Sequence, residues 1–161
     1  MEESNDERAR RIIADNIYLT LATCDLKNKP WAAPVYYAYD SDYNFYFVSA
    51  KDSLHATHIA ENPAVGIAIY NSTIPAGVCD GVQIDGMAHV AGVTDLPKAL
   101  GVYFNRRFRD PKERSLHTNS VTDFWGIGLM RIFVVRVKKA YTLDPTVKDV
   151  DERIEVRLKP D

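Results

Sequence analysis

Apolar residues recur with the spacing of β-strands along most of the chain. Alternating or continuous apolar runs predict six strands, at residues 18–25, 31–39, 43–49, 64–70, 81–90 and 129–143. Short polar turns, such as Asp40-Ser41-Asp42, separate the first three strands, which are therefore expected to form an antiparallel meander. A weak alternation over residues 154–158 would allow a last strand at the edge of the sheet.

Helical spacing occurs at three places, one before the first strand and two between strands. Ser4 and Glu7 form a capping-box pattern ahead of a short amphipathic segment. Two further helices are predicted at 54–61 and 95–104. Strands broken by short helices predict an α+β fold, mainly β, built as a six-stranded, Greek-key-like antiparallel barrel. One domain would comprise residues 1–161, with a core over 8–143 and a C-terminal tail over 144–161.

Composition and charge argue against several classes of function. The chain has 161 residues, 46% of them hydrophobic, which is enough for one compact core. The formal net charge is −2 and the charges are interspersed, so no basic field would attract nucleic acid. No apolar run is long enough for a membrane span, and the acidic start is unlike a secretory signal. Cys24 and Cys79 have no metal-binding spacing and are expected to be reduced thiols in a cytoplasmic protein.

The most informative segment is the aromatic strand 43–49 and the polar residues that follow it. Four polar side chains lie at the junction with helix 54–61: Ser49, Lys51, Ser53 and His55. The first N–H groups of a helix are free and its dipole favours negative charge, while Lys51 adds a cation. The pattern therefore predicts an anion site, with the phosphate of a nucleotide or cofactor as the expected ligand. The alternative is that Asp52 and Ser53 only cap the helix.

Several short motifs occur in a characteristic order along the chain. They are Pro34-Val35-Tyr36-Tyr37, Phe45-Tyr46-Phe47-Val48-Ser49, Asn62-Pro63-Ala64-Val65, Gly81-Val82-Gln83-Ile84-Asp85-Gly86 and Tyr103-Phe104-Asn105-Arg106-Arg107-Phe108. Their order and spacing, over residues 8–143, resemble the pyridoxamine 5′-phosphate oxidase-like flavoproteins. The resemblance implies a split β-barrel that binds FMN at a homodimer interface.

The same resemblance implies which residues would form the flavin site. The backbone of one strand would run along the isoalloxazine edge, and a second strand and the following helix would line its other side and hold the phosphate. The implied residues are Ala33, Pro34, Val35 and Tyr36 on the first strand, then Val48, Ser49, Ser53 and His55. The chain departs from the family pattern at Ala33, Ala38 and Leu54, where those oxidases have basic residues. Lys51 would then supply the missing charge.

The resemblance also implies a substrate site. Tyr103 and Arg107 match positions that hold the substrate phosphate in those oxidases, and their spacing puts them on one helical face. The alternative is that Arg107 only closes its helix. The Arg-x-His substrate motif of those enzymes is absent from residues 132–143, so oxidation of pyridoxamine phosphate is not expected.

These features predict a homodimeric, FMN-binding oxidoreductase that acts on a small molecule. The flavin would supply the electron transfer, so no catalytic triad is required. Two alternatives remain open: a protein that carries haem, a deazaflavin or a flavin without turnover, and a regulatory dimer that has lost its cofactor. His55 and His58 are three residues apart, but no carboxylate or cysteine is spaced to join them, so no metal site is expected.

Overall fold

The computed structural model describes residues 3–75, 81–108, 110–112, 121–144 and 152–160. Within these ranges the elements are α1 (Asn5–Asp15), β1 (Tyr18–Cys24), β2 (Pro30–Tyr36), β3 (Ala38–Tyr39), β4 (Phe45–Ala50), α2 (Leu54–Glu61), β5 (Ala64–Tyr70), β6 (Gly81–Val90), α3 (Leu96–Arg107), a 3₁₀ turn (Val121–Phe124), β7 (Met130–Leu143) and β8 (Arg153–Val156). The predicted capping box is confirmed, because the Ser4 hydroxyl accepts from the Glu7 N–H and the Glu7 carboxylate accepts from the Ser4 N–H.

The strands form one antiparallel sheet that curls into a half-barrel. Hydrogen-bonded neighbours follow the order β2-β1-β5-β6-β7-β4-β3, and β8 pairs with β7. β2 and β3 are at opposite ends of this path, yet only Tyr37 separates them along the chain. The two ends of the sheet must therefore lie close together, which requires the sheet to curl.

The prediction of six strands was wrong in number, for two reasons. The predicted strand 31–39 divides at Tyr37, whose N–H donates to the Ile17 carbonyl at 3.2 Å and whose hydroxyl donates to the Ile13 carbonyl at 2.6 Å. These bonds take Tyr37 out of the ladder, so β2 pairs with β1 and β3 pairs with β4. The residues after 143 also contribute β8, as the weak alternation allowed.

The expected meander of the first three strands is present only in part. β1 and β2 form a hairpin and the two residues of β3 pair with β4, but the full length of β4 pairs with β7. Short turns in the sequence indicate that two strands are close together, but they do not show which edges hydrogen bond. In this fold the long strand β7 takes both β6 and β4 as neighbours.

Two hydrophobic clusters lie on the two faces of the curled sheet. Alternation along β4 sends Phe45 and Phe47 into the barrel and Tyr46 and Val48 toward α3. Inside the barrel, the ring of Phe47 stacks on that of Phe133 with centroids 4.9 Å apart. Val156 and Leu158 are also buried there, so the core extends beyond residue 143, the limit suggested by the sequence.

Candidate functional site

The junction between β4 and α2 brings together three of the predicted site residues. The Ser49 hydroxyl donates to the Ser53 hydroxyl at 3.1 Å. The imidazole Nε2 of His55 lies 2.8 Å from the Ser49 Oγ and 3.1 Å from the Ser53 Oγ. The three side chains therefore form a closed triangle of polar atoms at the start of the helix, which we call the α2 anion cluster.

The first turn of α2 has free backbone donors beside this cluster. Ser53 is the N-cap residue and has extended backbone angles, but its hydroxyl makes no capping hydrogen bond to the helix. The first intrahelical bond is from the Thr57 N–H to the Ser53 carbonyl at 3.0 Å. The N–H groups of Leu54, His55 and Ala56 precede that bond and have no acceptor within the helix. Together with the helix dipole, these groups favour an anion.

His55 is buried and has a lowered pKa. Its side chain is 8% exposed, and the ring meets the ring of Phe47 edge-on with centroids 5.9 Å apart. Burial, and then the neighbouring His58, lower the pKa of His55 below its ordinary value. Its surroundings therefore favour the neutral imidazole when no anion is bound.

Two cationic residues lie next to the cluster. Lys51 is exposed in the turn before α2, and its N–H donates to the Leu129 carbonyl at 2.9 Å. Arg131 is the register partner of Ser49 in the β4–β7 ladder, so both side chains lie on the same face of the sheet. No local pattern in the sequence marks Arg131 as a site residue, because only the pairing of two strands distant in sequence reveals this neighbour.

The guanidinium of Arg131 organises the loop before β7. Its Nη1 donates to the carbonyls of Gly128 and Met130, each at 2.7 Å, and its Nη2 donates to the Gly126 carbonyl at 2.6 Å. Three of its donors are thus already engaged by backbone oxygens. Arg131 stabilises this loop and contributes positive charge near the α2 anion cluster.

The predicted flavin strand corresponds to β2, an end strand of the sheet. Ala33 and Val35 point into the barrel, whereas Pro34 is exposed and Tyr36 is half-buried on the other face. β1 is the only strand that pairs with β2 among the described residues, which leaves the backbone of its other edge free for a ligand. β2 also contacts both β4 and α2, so it lies beside the α2 anion cluster.

The predicted substrate residues meet on α3 and contact Tyr36. The Arg107 Nη1 donates to the Tyr103 hydroxyl at 2.8 Å. The ring of Tyr36 meets that of Tyr103 edge-on at 5.6 Å, and the Arg107 guanidinium carbon lies 5.8 Å from the Tyr36 centroid. Burial raises the pKa of Tyr103, whereas the Arg107 hydrogen bond acts in the opposite direction. Val48 packs in the same cluster, on the opposite face of β4 from Ser49.

Comparison with known proteins gives the family. The sequence profile of the pyridoxamine 5′-phosphate oxidase family matches residues 6–122, well over half of the chain. The chain belongs to this family. The resemblance proposed from the motifs is thereby confirmed. A comparison with curated proteins gives no match.

Solved structures share the fold of this family member at low sequence identity. A haem-binding protein from Mycobacterium smegmatis matches with a TM-score of 0.70 and 19% identity, over 96% of this chain and 58% of that one. HutZ, the haem storage protein of Vibrio cholerae, matches with a TM-score of 0.64 and 13% identity, over 83% of this chain and 90% of that one. General Stress Protein 26 from Bacillus anthracis matches with a TM-score of 0.59 and 18% identity, over 92% of this chain and 96% of that one.

These comparisons establish the split-barrel fold but not the ligand. The chain spans less than two thirds of the length of the Mycobacterium protein. Within the described ranges, no helix has the length and hydrophobicity that a membrane crossing requires. No three His, Cys, Asp or Glu side chains gather there in a way that could hold a metal ion. Cys24 is a free thiol, and Cys79 lies outside the described residues.

Proposed function

We propose that the protein binds FMN, with the phosphate at the α2 anion cluster and the isoalloxazine along the free edge of β2. The observation that carries the proposal is the combination of an uncapped helix start with two hydroxyls and an imidazole that already converge there. A phosphate accepts several hydrogen bonds at once, and this junction offers donors from both backbone and side chains. Lys51 and Arg131 supply the positive charge that Ala33, Ala38 and Leu54 do not.

The proposed activity is that of an oxidoreductase on a small molecule. Bound FMN would supply hydride or electron transfer, while the chain binds and orients it. Tyr103 and Arg107 adjoin Tyr36, and this supports an anionic substrate held near the isoalloxazine. Pyridoxamine phosphate is not the proposed substrate, because β7 contains no Arg-x-His sequence.

We also propose that the protein is a homodimer, with the flavin between the subunits. The outward residues of the adjacent strands β2, β1 and β5 are small or aromatic and include no charged side chain: Tyr18, Thr20, Ala22, Ala32, Pro34, Tyr36, Ala64, Gly66, Ala68 and Tyr70. Tyr18 and Tyr70 are 58% and 53% exposed. An uncharged, partly aromatic face of this extent is typical of a subunit interface.

The homodimer is tested by the oligomeric state in solution. Sedimentation velocity at micromolar concentration should give a dimer, and Ala22→Glu should dissociate it by placing charge in the middle of the face. Val93→Glu, at a position that is 65% exposed after β6, is the matched control and should leave the dimer intact. A stable monomer that retains its cofactor would contradict the proposal.

Haem is the second candidate ligand, since two solved structures with this fold are described as haem proteins. The purified protein distinguishes the candidates by colour: a flavin spectrum, a deazaflavin spectrum, a Soret band or none. Heat release of the pigment followed by mass spectrometry identifies it. A Soret band would show that the ligand is haem and not FMN. A colourless protein that takes up neither ligand would favour a regulatory dimer. The cytoplasmic location remains a prediction.

A further inference from the structure

The α2 anion cluster contains one group that can change its charge near neutral pH. Two of its members are hydroxyls, and the third is the imidazole of His55. Phosphate oxygens only accept hydrogen bonds, so every group that binds a phosphate must donate. At present the Ser49 hydroxyl donates to Ser53, and the imidazole nitrogen completes the triangle. A phosphate that enters would draw both hydroxyls toward itself and accept the Nε2–H of His55, and its negative charge would favour the imidazolium over the neutral Nε2–H tautomer.

The surroundings keep the His55 imidazole uncharged before an anion arrives. The interior side chains of β1, β2 and β6, which all pack on α2, are apolar apart from Thr23. On α2 itself, His58 lies one turn further along, with its Nδ1 3.1 Å from the Thr23 Oγ1. None of the hydrogen bonds or ion pairs described for His55 involves a carboxylate.

None of the other charged groups described around His55 is a basic group in contact with the two hydroxyls of the cluster. Lys51 and Asp52 are both exposed in the turn before the helix, where solvent screens them. Arg131 on β7 already donates to three loop carbonyls. Asp25, at the end of β1, interacts electrostatically with His58. His55 is therefore the basic group in direct contact with both hydroxyls of the cluster.

We propose that the α2 anion cluster binds its phosphate together with one proton, which His55 takes up. The inference rests on the proposed FMN site, because it assigns the phosphate to this cluster. It predicts that FMN affinity falls as pH rises above neutrality. A phosphate site built from arginine and lysine would show no such fall there, because both side chains stay charged near neutral pH.

The direction of the pH dependence follows from the two states of the site. Burial lowers the pKa of His55 in the free protein, and a bound dianionic phosphate within hydrogen-bond distance raises it. Between the free and bound pKa values, binding takes up a proton, so affinity decreases with rising pH by up to about tenfold per pH unit. Below about pH 6 the phosphate itself becomes protonated, which opposes the trend, so the test is made above neutrality.

The experiment compares FMN with riboflavin, which has the same ring system but no phosphate. Calorimetry at about pH 7.5, in two buffers with different ionisation enthalpies, gives the number of protons taken up on binding. We expect FMN binding to take up close to one proton and riboflavin binding to take up close to none. This comparison uses the wild-type protein, so it does not depend on the folding of a variant.

Two variants assign the proton to His55. His55→Gln should abolish the proton uptake and flatten the pH dependence of FMN affinity, while its riboflavin affinity stays within about twofold of wild type. His89→Gln is the matched control, since His89 is also part-buried with a lowered pKa but lies on β6 near Arg136 and Asp95. It should behave like the wild type.

The outcomes separate this inference from the proposed function. FMN binding without proton uptake, or with the same uptake in His55→Gln, would overturn the inference and leave the FMN site standing. Failure of the wild-type protein to bind FMN would overturn both.

Discussion

The start of α2 and the end of α3 were both candidate anion sites in the sequence, but the structure builds them from different groups. At α2 the donors are hydroxyls, an imidazole and free backbone N–H groups. At α3 they are two adjacent guanidinium groups, Arg106 and Arg107, in the last helical turn. The two guanidinium groups differ in exposure: Arg106 is half-buried and donates to backbone carbonyls, whereas Arg107 is exposed. Two neighbouring arginines therefore do not contribute equally to a candidate anion site.

The guanidinium of Arg106 contacts two tyrosine rings and the C-terminal end of α1. Its guanidinium carbon lies 4.5 Å from the Tyr37 ring centroid and 4.6 Å from that of Tyr39. The Nη2 donates at 3.1, 3.2 and 2.7 Å to the carbonyls of Ile13, Ala14 and Asn16, respectively. These oxygens lie at the C-terminal end of α1, where helical carbonyls lack partners and a cation is favourable. Arg106 thus attaches α1 to α3, whereas Arg107 hydrogen bonds to Tyr103 and lies near the rings of Tyr36 and Phe108.

The largest expected effect is on stability, and it tests whether Arg106 has a structural role that Arg107 lacks. Arg106→Ala should lower the free energy of unfolding by about 2–4 kcal/mol, because it removes several charged hydrogen bonds and a cation–π contact. Urea denaturation measures the change. Arg107→Ala is the matched control on the neighbouring residue and should change stability by less than about 0.5 kcal/mol. Equal losses from the two variants would show that this difference does not exist.

The next effect separates ligand binding from helix capping at α2. Ser53→Ala should weaken FMN binding by about 1 kcal/mol, the net value of one hydrogen bond, which corresponds to roughly fivefold. Its stability should change by less than about 0.5 kcal/mol, because the hydroxyl makes no capping bond and its loss leaves the shorter Ser49–His55 hydrogen bond in place. An ordinary N-cap substitution costs about 1 kcal/mol. Lost stability with unchanged FMN affinity would favour the capping interpretation.

A smaller effect is expected at Lys51, because its side chain is exposed and screened. Lys51→Ala should weaken FMN by about threefold at low salt, should leave riboflavin unchanged, and should have less effect as salt is added. Fluorescence titration measures both ligands. Lys27→Ala, in the exposed turn between β1 and β2, provides the control. An equal loss for FMN and riboflavin would remove Lys51 from the phosphate site.

The smallest expected effect concerns Arg107 and an anionic substrate. Arg107→Ala should raise the concentration of sulfate needed to occupy the α3 site by about twofold, while FMN affinity stays the same. Equilibrium dialysis of labelled sulfate against the FMN-loaded protein measures it. Loss of the dimer or of the fold, with unchanged sulfate binding, would assign Arg107 a structural role.

The sequence alone determined the local elements and the family. Period-two alternation marks strands because side chains of a strand point to opposite faces, and the Ser4–Glu7 capping box involves residues only three apart. The Ser49-to-His55 cluster was also predictable, since its members are at most six residues apart and lie on one strand–helix junction. Information of this kind is contained in a short window of the chain.

The tertiary structure alone decided which distant groups meet. It divided the strand 31–39 at Tyr37, because bonds to Ile13 and Ile17 satisfy that residue outside the ladder. The same level of structure placed Arg131 opposite Ser49, and directed Arg106 to the end of α1 while leaving Arg107 beside Tyr103. Each of these outcomes depends on strand register or helix packing between segments far apart in sequence. Local sequence patterns do not predict such contacts, because the contacts stabilise the protein only after the sheet has curled and the helices have packed against it.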